Sequence, residues 1–217
     1  MKSKDTEVSL KDLVEQELPK VVLEASNIMF LDISSSCTGY SIFSVDFTTR
    51  KAKAISAGAI WFPDTNHQEK YAYLFNAIVS YFNIVEKIDY IVAEQYSINP
   101  DKRTGCMVGP EMHGILKVAA AEIGCKVRVF PPQSWRSELG IKKTADGDFK
   151  EPTKQKVLEF VSIPENIQSN ITFNERKTPS DVYDAIALGL GFMKRVNIQK
   201  FDFSQLELQK HVGVLNV

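Results

Sequence analysis

The chain has 217 residues, of which 44% are hydrophobic and 24% charged, with a formal net charge of −1. That length fits one ordinary domain with appendages, and the balance excludes disorder over most of the chain. No apolar run approaches the roughly 20 residues that span a bilayer, and the charged first 27 residues lack a signal-peptide core, so the expectation is a soluble chain in the cytoplasm. Cys37, Cys106 and Cys125 form no C-x-x-C spacing, and His67, His113 and His211 stand far apart. This argues against a zinc site or a disulfide frame and for buried thiols in a reducing, intracellular compartment. Charge is unevenly spread: eight basic against four acidic residues lie between Lys126 and Lys156, whereas the first 24 residues carry four basic and six acidic. A basic surface within a neutral chain is compatible with a polyanionic partner.

In chain order, Ser9-Leu10-Lys11-Asp12 reads as a capping box opening a short helix stopped near Pro19, and residues 1–27 read as an appendage. Ile28–Ile33, Thr38–Val45 and Ala52–Trp61 are β-rich runs with short links, which predicts an antiparallel meander. Tyr71, Leu74, Phe75, Ile78, Val79 and Phe82 recur at helical spacing and predict one amphipathic helix. Tyr90–Ala93 is a short apolar strand ending on Glu94. A polar loop with Lys102 and Arg103 leads to a helix from about Pro110, then a strand Val127–Phe130 closed by Pro131-Pro132. Helices follow from about Thr153 and from about Pro179 to Arg195. The order βββαβαβαα predicts an α/β fold, a mixed sheet with helices on both faces, over residues 28–200. For the tail, 201–217, a dimer clasp and an added strand both stay open.

Two of the apolar strands end on acids. Asp32 closes the first, where an Asx-turn in the Ser34–Ser36 loop is the plain explanation. Glu94 closes another, where Glu has poor β propensity and no capping reason. If those strands are neighbours, both acids meet at one sheet edge, where α/β architectures place their sites. In "TPSDVYDAIALGLGF", Thr178 to Phe192, Asp181 falls at N3 of a capping box, which accounts for it fully. Asp184 has no such account. It shares a row with Asp181 that turns apolar at Leu188, so the row faces protein. Gly189 and Gly191 cost helix propensity and suggest tight packing against the sheet. Like charges on a buried-facing helix are unfavourable unless a cation joins them. Four carboxylates, with no His or Cys expected nearby, specify hard oxygen donors for two Mg²⁺ or Mn²⁺ ions, the kind of centre that hydrolyses phosphodiesters.

"FLDISSSCTGYSIF", "IVAEQ" and "SDVYDAIALGLGF" together resemble, in order and spacing, the three acidic motifs of RuvC-type Holliday junction resolvases of the RNase H-like superfamily. The resemblance covers about residues 28–194. It implies an RNase H-like fold and a metal-dependent endonuclease that resolves four-way DNA junctions as a homodimer. It further implies that Asp32, Glu94, Asp181 and Asp184 are catalytic metal ligands. "KQKVLEFV" resembles the family's helix that carries a lysine to the scissile phosphate, which gives that role to Lys154. Lys154 also shares a face with Val157 and Val161, aiming its root inward. Tyr96 is the candidate for the aromatic that the family places shortly after the glutamate to probe the junction centre, but it sits close to Glu94, and simple packing is the alternative. Where the family usually has D-P-G or D-x-G, this chain has Asp32-Ile33-Ser34.

Lys102 and Arg103 lie in the loop after the Glu94 strand. Arg136, Lys142, Lys143 and Lys150 are interleaved with Trp135 in "PPQSWRSELGIKKTADGDFK". This composition suits a surface that tracks a DNA backbone, although Trp135 also reads as a core plug. Shared acids do not separate junction resolution from cleavage of RNA–DNA hybrids or single strands. An actin-like phosphotransferase needs a longer chain and Gly-rich phosphate loops. A non-enzymatic branched-DNA binder leaves the four acids unexplained.

Overall fold

The computed structural model describes residues 26–34, 36–62, 66–82, 87–96, 108–161 and 180–211. Strands β1 (Ser26–Ile33), β2 (Cys37–Asp46) and β3 (Lys51–Trp61) form the expected antiparallel meander. Helix α1 (His67–Asn76) follows, then β4 (Tyr90–Glu94), α2 (Val108–Glu122) and β5 (Lys126–Phe130). Helices α3 (Pro132–Leu139), α4 (Lys150–Phe160) and α5 (Ser180–Arg195) precede two short strands, β6 (Lys200–Asp202) and β7 (Glu207–His211). One mixed sheet runs β5-β4-β1-β2-β3-β6, with β7 also on β3. Strands β4 and β5 run parallel to β1, as helical crossovers require.

Alternation along the strands divides the core in two. Met29, Leu31, Ile91 and Ala93 face α1 and α2, meeting Leu74, Ile78, Met112 and Leu116. Ile28, Phe30, Phe43 and Val92 face the other way and pack with α3, α4 and α5. Helices therefore cover both faces, as predicted.

Three features depart from the sequence reading. The 71–82 segment is not one α-helix: after Asn76 it winds as a π-helix over Ala77–Phe82. Helix α3 was not foreseen. The Pro pair read as a strand stop, yet Pro132 at the first helical position suits a helix start, and Gly140 caps the other end at φ 68°. The tail contributes added strands: β6 and β7 both pair in parallel with β3. The proposed helix near Pro19, together with Thr178 and Pro179, lies outside the described residues. No helix among the described residues is long and apolar enough to cross a membrane.

Candidate active site

The strand phase that points Ile28 and Phe30 towards α5 continues to Asp32, and the phase of Val92 continues to Glu94. The β1–β4 register pairs Leu31 with Ala93. The next residue on each strand is the acid, so Asp32 and Glu94 end neighbouring strands on the same side of the sheet. Across the other edge of β1, Asp32 pairs with Gly39 of β2. A Cβ at Gly39 would lie 2.0 Å from the Asp181 carbonyl oxygen. Only glycine lets the first turn of α5 rest there. One turn later the Ser41 hydroxyl donates to the Ala185 carbonyl at 2.8 Å, tying the helix to β2. Asp181 and Asp184 are thereby delivered over the strand ends that carry Asp32 and Glu94. Leu188 of the same row is fully buried. Gly189 packs on Phe30 and Phe43 of the sheet as expected, but Gly191 packs on the Trp135 backbone of α3.

The four carboxyls feel one another. Burial, then Glu94, Asp184 and Asp181, push Asp32 well above the usual carboxylate range, with Arg136 opposing. Asp184 is pushed up to about 7, chiefly by burial and then by Glu94 and Asp181, against Arg136 and the buried Thr153 hydroxyl. Burial also raises Glu94, while Arg136 and a hydrogen bond from Trp135 pull it down. Each acid nevertheless keeps a window of exposed surface, so the cluster is open to a small ion.

Neighbouring side chains hold two of the acids individually. The Trp135 indole N–H donates to Glu94 Oε2 at 2.7 Å, and Arg136 Nη2 stands 3.8 Å from the same oxygen. The Cys37 thiol donates to Asp181 Oδ2 at 2.9 Å, which corrects the expectation that no Cys lies near the acids. Burial and the Asp181 charge push that thiol up, so it stays protonated and serves as a donor rather than a ligand. His113, pulled down by burial, bonds to the Glu94 main chain from behind. Among the described residues no three His, Cys, Asp or Glu side chains converge into a finished ligand sphere. The donor set itself, all carboxylate and mutually repelling, fits Mg²⁺ or Mn²⁺ and not zinc.

The other expected residues are placed as follows. The buried row of α4 is Thr153 and Val157, and Lys154 stands half-buried beside it, its Nζ 5.9 Å from the Tyr183 ring on α5. Tyr96 packs its ring on Gly109 at the start of α2. Lys142, Lys143 and Lys150 are exposed. Arg136, expected on the DNA-facing surface, is turned to the acids and lies between the rings of Trp135 and Phe149 at 4.6 and 4.5 Å. Lys102 and Arg103 lie outside the described residues. The roles of Trp135 and Cys37 beside the acids were not foreseen. One signal existed for Trp135: Phe130 pairs with Glu94 in the β4–β5 register, so residues just after Phe130 start at the acid edge.

No family model matches the sequence, and no curated protein matches it significantly. Solved structures do match in shape. RuvC of T. thermophilus in complex with a Holliday junction substrate superposes with a TM-score of 0.59 at 16% identity, over 79% of this chain and 97% of that one. The Thermus thermophilus RuvC structure gives 0.57 at 18%, over 79% and 97%. The yeast mitochondrial Holliday junction resolvase Ydc2 gives 0.53 at 14%, over 79% of each chain. At these identities the likeness is one of architecture, and the chain has the RNase H-like fold that these resolvases share.

Proposed function

We propose that the protein is a metal-dependent endonuclease that resolves four-way or otherwise branched DNA. The observation that carries this reading is the meeting of Asp32 and Glu94, on adjacent strand ends, beneath the Asp181–Asp184 turn of α5. A fold shared with junction resolvases adds support. Asp32, Glu94, Asp181 and Asp184 would hold two Mg²⁺ or Mn²⁺ ions. When bound, such ions activate the attacking water and offset charge at the leaving oxygen.

The chain's own residues supply the rest. Strand ends make stiff anchors for Asp32 and Glu94, and the glycine contact at Gly39 sets the height of α5 above them. Trp135 and Cys37 orient individual carboxylates. Arg136 offsets part of the negative charge with a guanidinium held between two rings. Lys154, beside the first turn of α5, is positioned to meet a phosphate oxygen. Lys142 and Lys143 offer exposed cations to the DNA backbone. Tyr96, half-buried with its ring on Gly109, would have to leave that contact to act as a wedge at the junction centre. Residues 28–200 would form the nuclease unit with 1–27 ahead of it. That division is adjusted by Ser26 and Asn27, which open β1, and by the 201–217 tail, whose β6 and β7 strands extend the same sheet. One acid set makes one cut, so paired cuts on opposed strands call for a homodimer with two-fold symmetry.

Incubating the protein with a synthetic four-way junction beside duplex, flap and RNA–DNA hybrid controls, with and without Mg²⁺, tests the proposal. Selective, Mg²⁺-dependent cutting of the junction is expected. Preference for the hybrid would move the protein to another RNase H-like activity, and binding without cutting would make it a DNA-binding protein only.

A further inference from the structure

We infer that Trp135 is a positioning residue for Glu94: its indole N–H occupies one carboxylate oxygen and leaves the other as the donor to a divalent ion. The inference rests on the proposed function, because it concerns how that site's ligands are held.

Trp135 is fully buried. An indole N–H in that position needs an acceptor, and the one it has is the Glu94 carboxylate, at 2.7 Å. That is short for N–H···O and typical of a bond to a charged acceptor. A plain core tryptophan satisfies its N–H on any carbonyl. Here it is spent on one of the four acids.

The ring has little freedom to do otherwise. Behind it, the Gly191 position of α5 is so close that a Cβ would lie 2.6 Å from the Trp135 Cβ. Against its face lies the Arg136 guanidinium, 4.6 Å from the ring centre and itself backed by Phe149. The donor is therefore fixed by packing on α3 and α5, two elements outside the strand that carries Glu94.

Glu94 is also the acid that most needs such a partner. It has one more side-chain torsion than the three aspartates, so a strand end alone leaves its carboxylate free to swing. Trp135 N–H and Arg136 Nη2 both address Oε2. An oxygen that accepts one donor and faces a guanidinium is a poor ligand for a further cation. Oε1 is then the remaining donor, and Glu94 binds through one oxygen. Outer partners of this kind commonly set metal affinity by about 10- to 100-fold.

The test uses the full chain and reads Mn²⁺ binding by electron paramagnetic resonance of the free ion, with melting temperature alongside. Two variants separate orientation from packing. Trp135→Phe removes the N–H and part of the ring. Incorporation of β-(3-benzothienyl)alanine at position 135 replaces N–H by sulfur and keeps the bicyclic shape. Both are expected to weaken Mn²⁺ binding about tenfold, with the benzothienyl protein melting as the wild type does. If the benzothienyl protein binds Mn²⁺ as tightly as the wild type, Trp135 is a core plug and the inference is overturned, while the nuclease reading stands. If the wild type itself binds no Mn²⁺, the failure lies in the proposed metal site and takes the inference with it.

Discussion

The two faces of the sheet are made by the same strands and yet do different work. On the α1–α2 face, β1 and β4 present Met29, Leu31, Ile91 and Ala93, all fully buried, and β1 ends there on half-buried Ile33, so the face stays apolar to the end of each strand. On the α5 face the same strands start apolar, with Ile28, Phe30 and Val92, and finish on Asp32 and Glu94. A one-residue difference in phase separates a packed core from a cluster of repelling carboxylates. Burial and mutual repulsion of the acids cost stability in the metal-free fold, and the contacts from Trp135, Arg136 and Cys37 offset only part of that, so the apolar packing must offset the rest. Changes on the α5 face should therefore strike activity first, and changes on the other should strike stability first.

The largest expected effect is that of Asp32→Asn. It removes charge and almost no volume, so cleavage should fall by more than the roughly 100-fold that loss of an outer partner causes, with junction binding kept. In EDTA the variant should melt no lower than the wild type, because a repelled, buried charge is gone. Wild-type cleavage by Asp32→Asn would remove the carboxylate from the mechanism. A lower melting temperature would restore it to a turn-capping role. The matched change on the opposite face is Leu116→Ala, at a fully buried site on α2. A loss of about 2–5 kcal/mol is expected in denaturant unfolding. Mn²⁺ affinity at low temperature should not change. If Leu116→Ala loosens metal binding as strongly as it lowers stability, the two faces are not separable in this way.

How much of this asymmetry was legible beforehand follows from what each part depends on. The meander was readable because β1 to β3 alternate or run apolar between short polar links, which are local properties. Glu94 was readable because an acid ending an apolar strand is locally unexplained, and Asp32, which a turn explains on its own, gained weight from ending a second such strand. Asp184 stood out because its row runs into Leu188. The partners of these acids were not readable. Cys37 meets Asp181 across 144 positions of chain, and nothing in its own neighbourhood marks it. Trp135 required knowing that α3 exists, and an eight-residue helix opened by a proline pair gives little periodic signal. Arg136 was read by its charge as a surface residue, whereas the rings of Trp135 and Phe149 hold it against Glu94. The switch to π-helix after Asn76 also left no trace in the apolar spacing, which continues unbroken to Phe82.

Titration sharpens the comparison further, since the mutually repelling acids lie on one face, whereas the other carries His113, which burial pulls down. Asp184 is pushed from its ordinary 3.8 up to about 7. Over the interval between those values the folded protein keeps a proton that the unfolded chain has lost. Metal-free stability should therefore decline as pH rises through that window, and the full penalty applies above it. Mg²⁺ takes the proton's place, so it should stabilise most at the alkaline end and bind more weakly as pH falls below about 7. Melting in EDTA from about pH 5 to about pH 8 should show the decline, at about 2–4 °C per kcal/mol for a chain this size. Asp184→Asn should flatten the curve. His113, pulled down by burial, contributes the opposite slope, so the difference between the wild type and Asp184→Asn is the readout. Identical pH dependence in the two would mean the acids are separately solvated and do not form one cluster.

The smallest expected effect lies outside both faces, on the loop between α3 and α4. Lys142 and Lys143 are exposed, and only Lys143 has a ring nearby, with Nζ 5.4 Å from Phe149. An exposed cation–π contact of this kind is worth about 0.5–1 kcal/mol, so neither residue has a large structural role to lose. Their value would be electrostatic: each phosphate neutralised releases condensed counterions, and binding then weakens with salt in proportion to the number of contacts. Lys142→Ala should weaken binding to junction and plain duplex alike and reduce the salt slope by about one unit. Cutting of a saturating junction at low salt should persist, because the acid cluster is untouched. Lys143→Ala should do the same with a slightly lower melting temperature from the lost Phe149 contact. A wild-type slope in both variants would put the DNA surface elsewhere. A loss confined to junctions would instead make this loop a reader of branch geometry, a role that an exposed point charge on a loop is poorly built to perform.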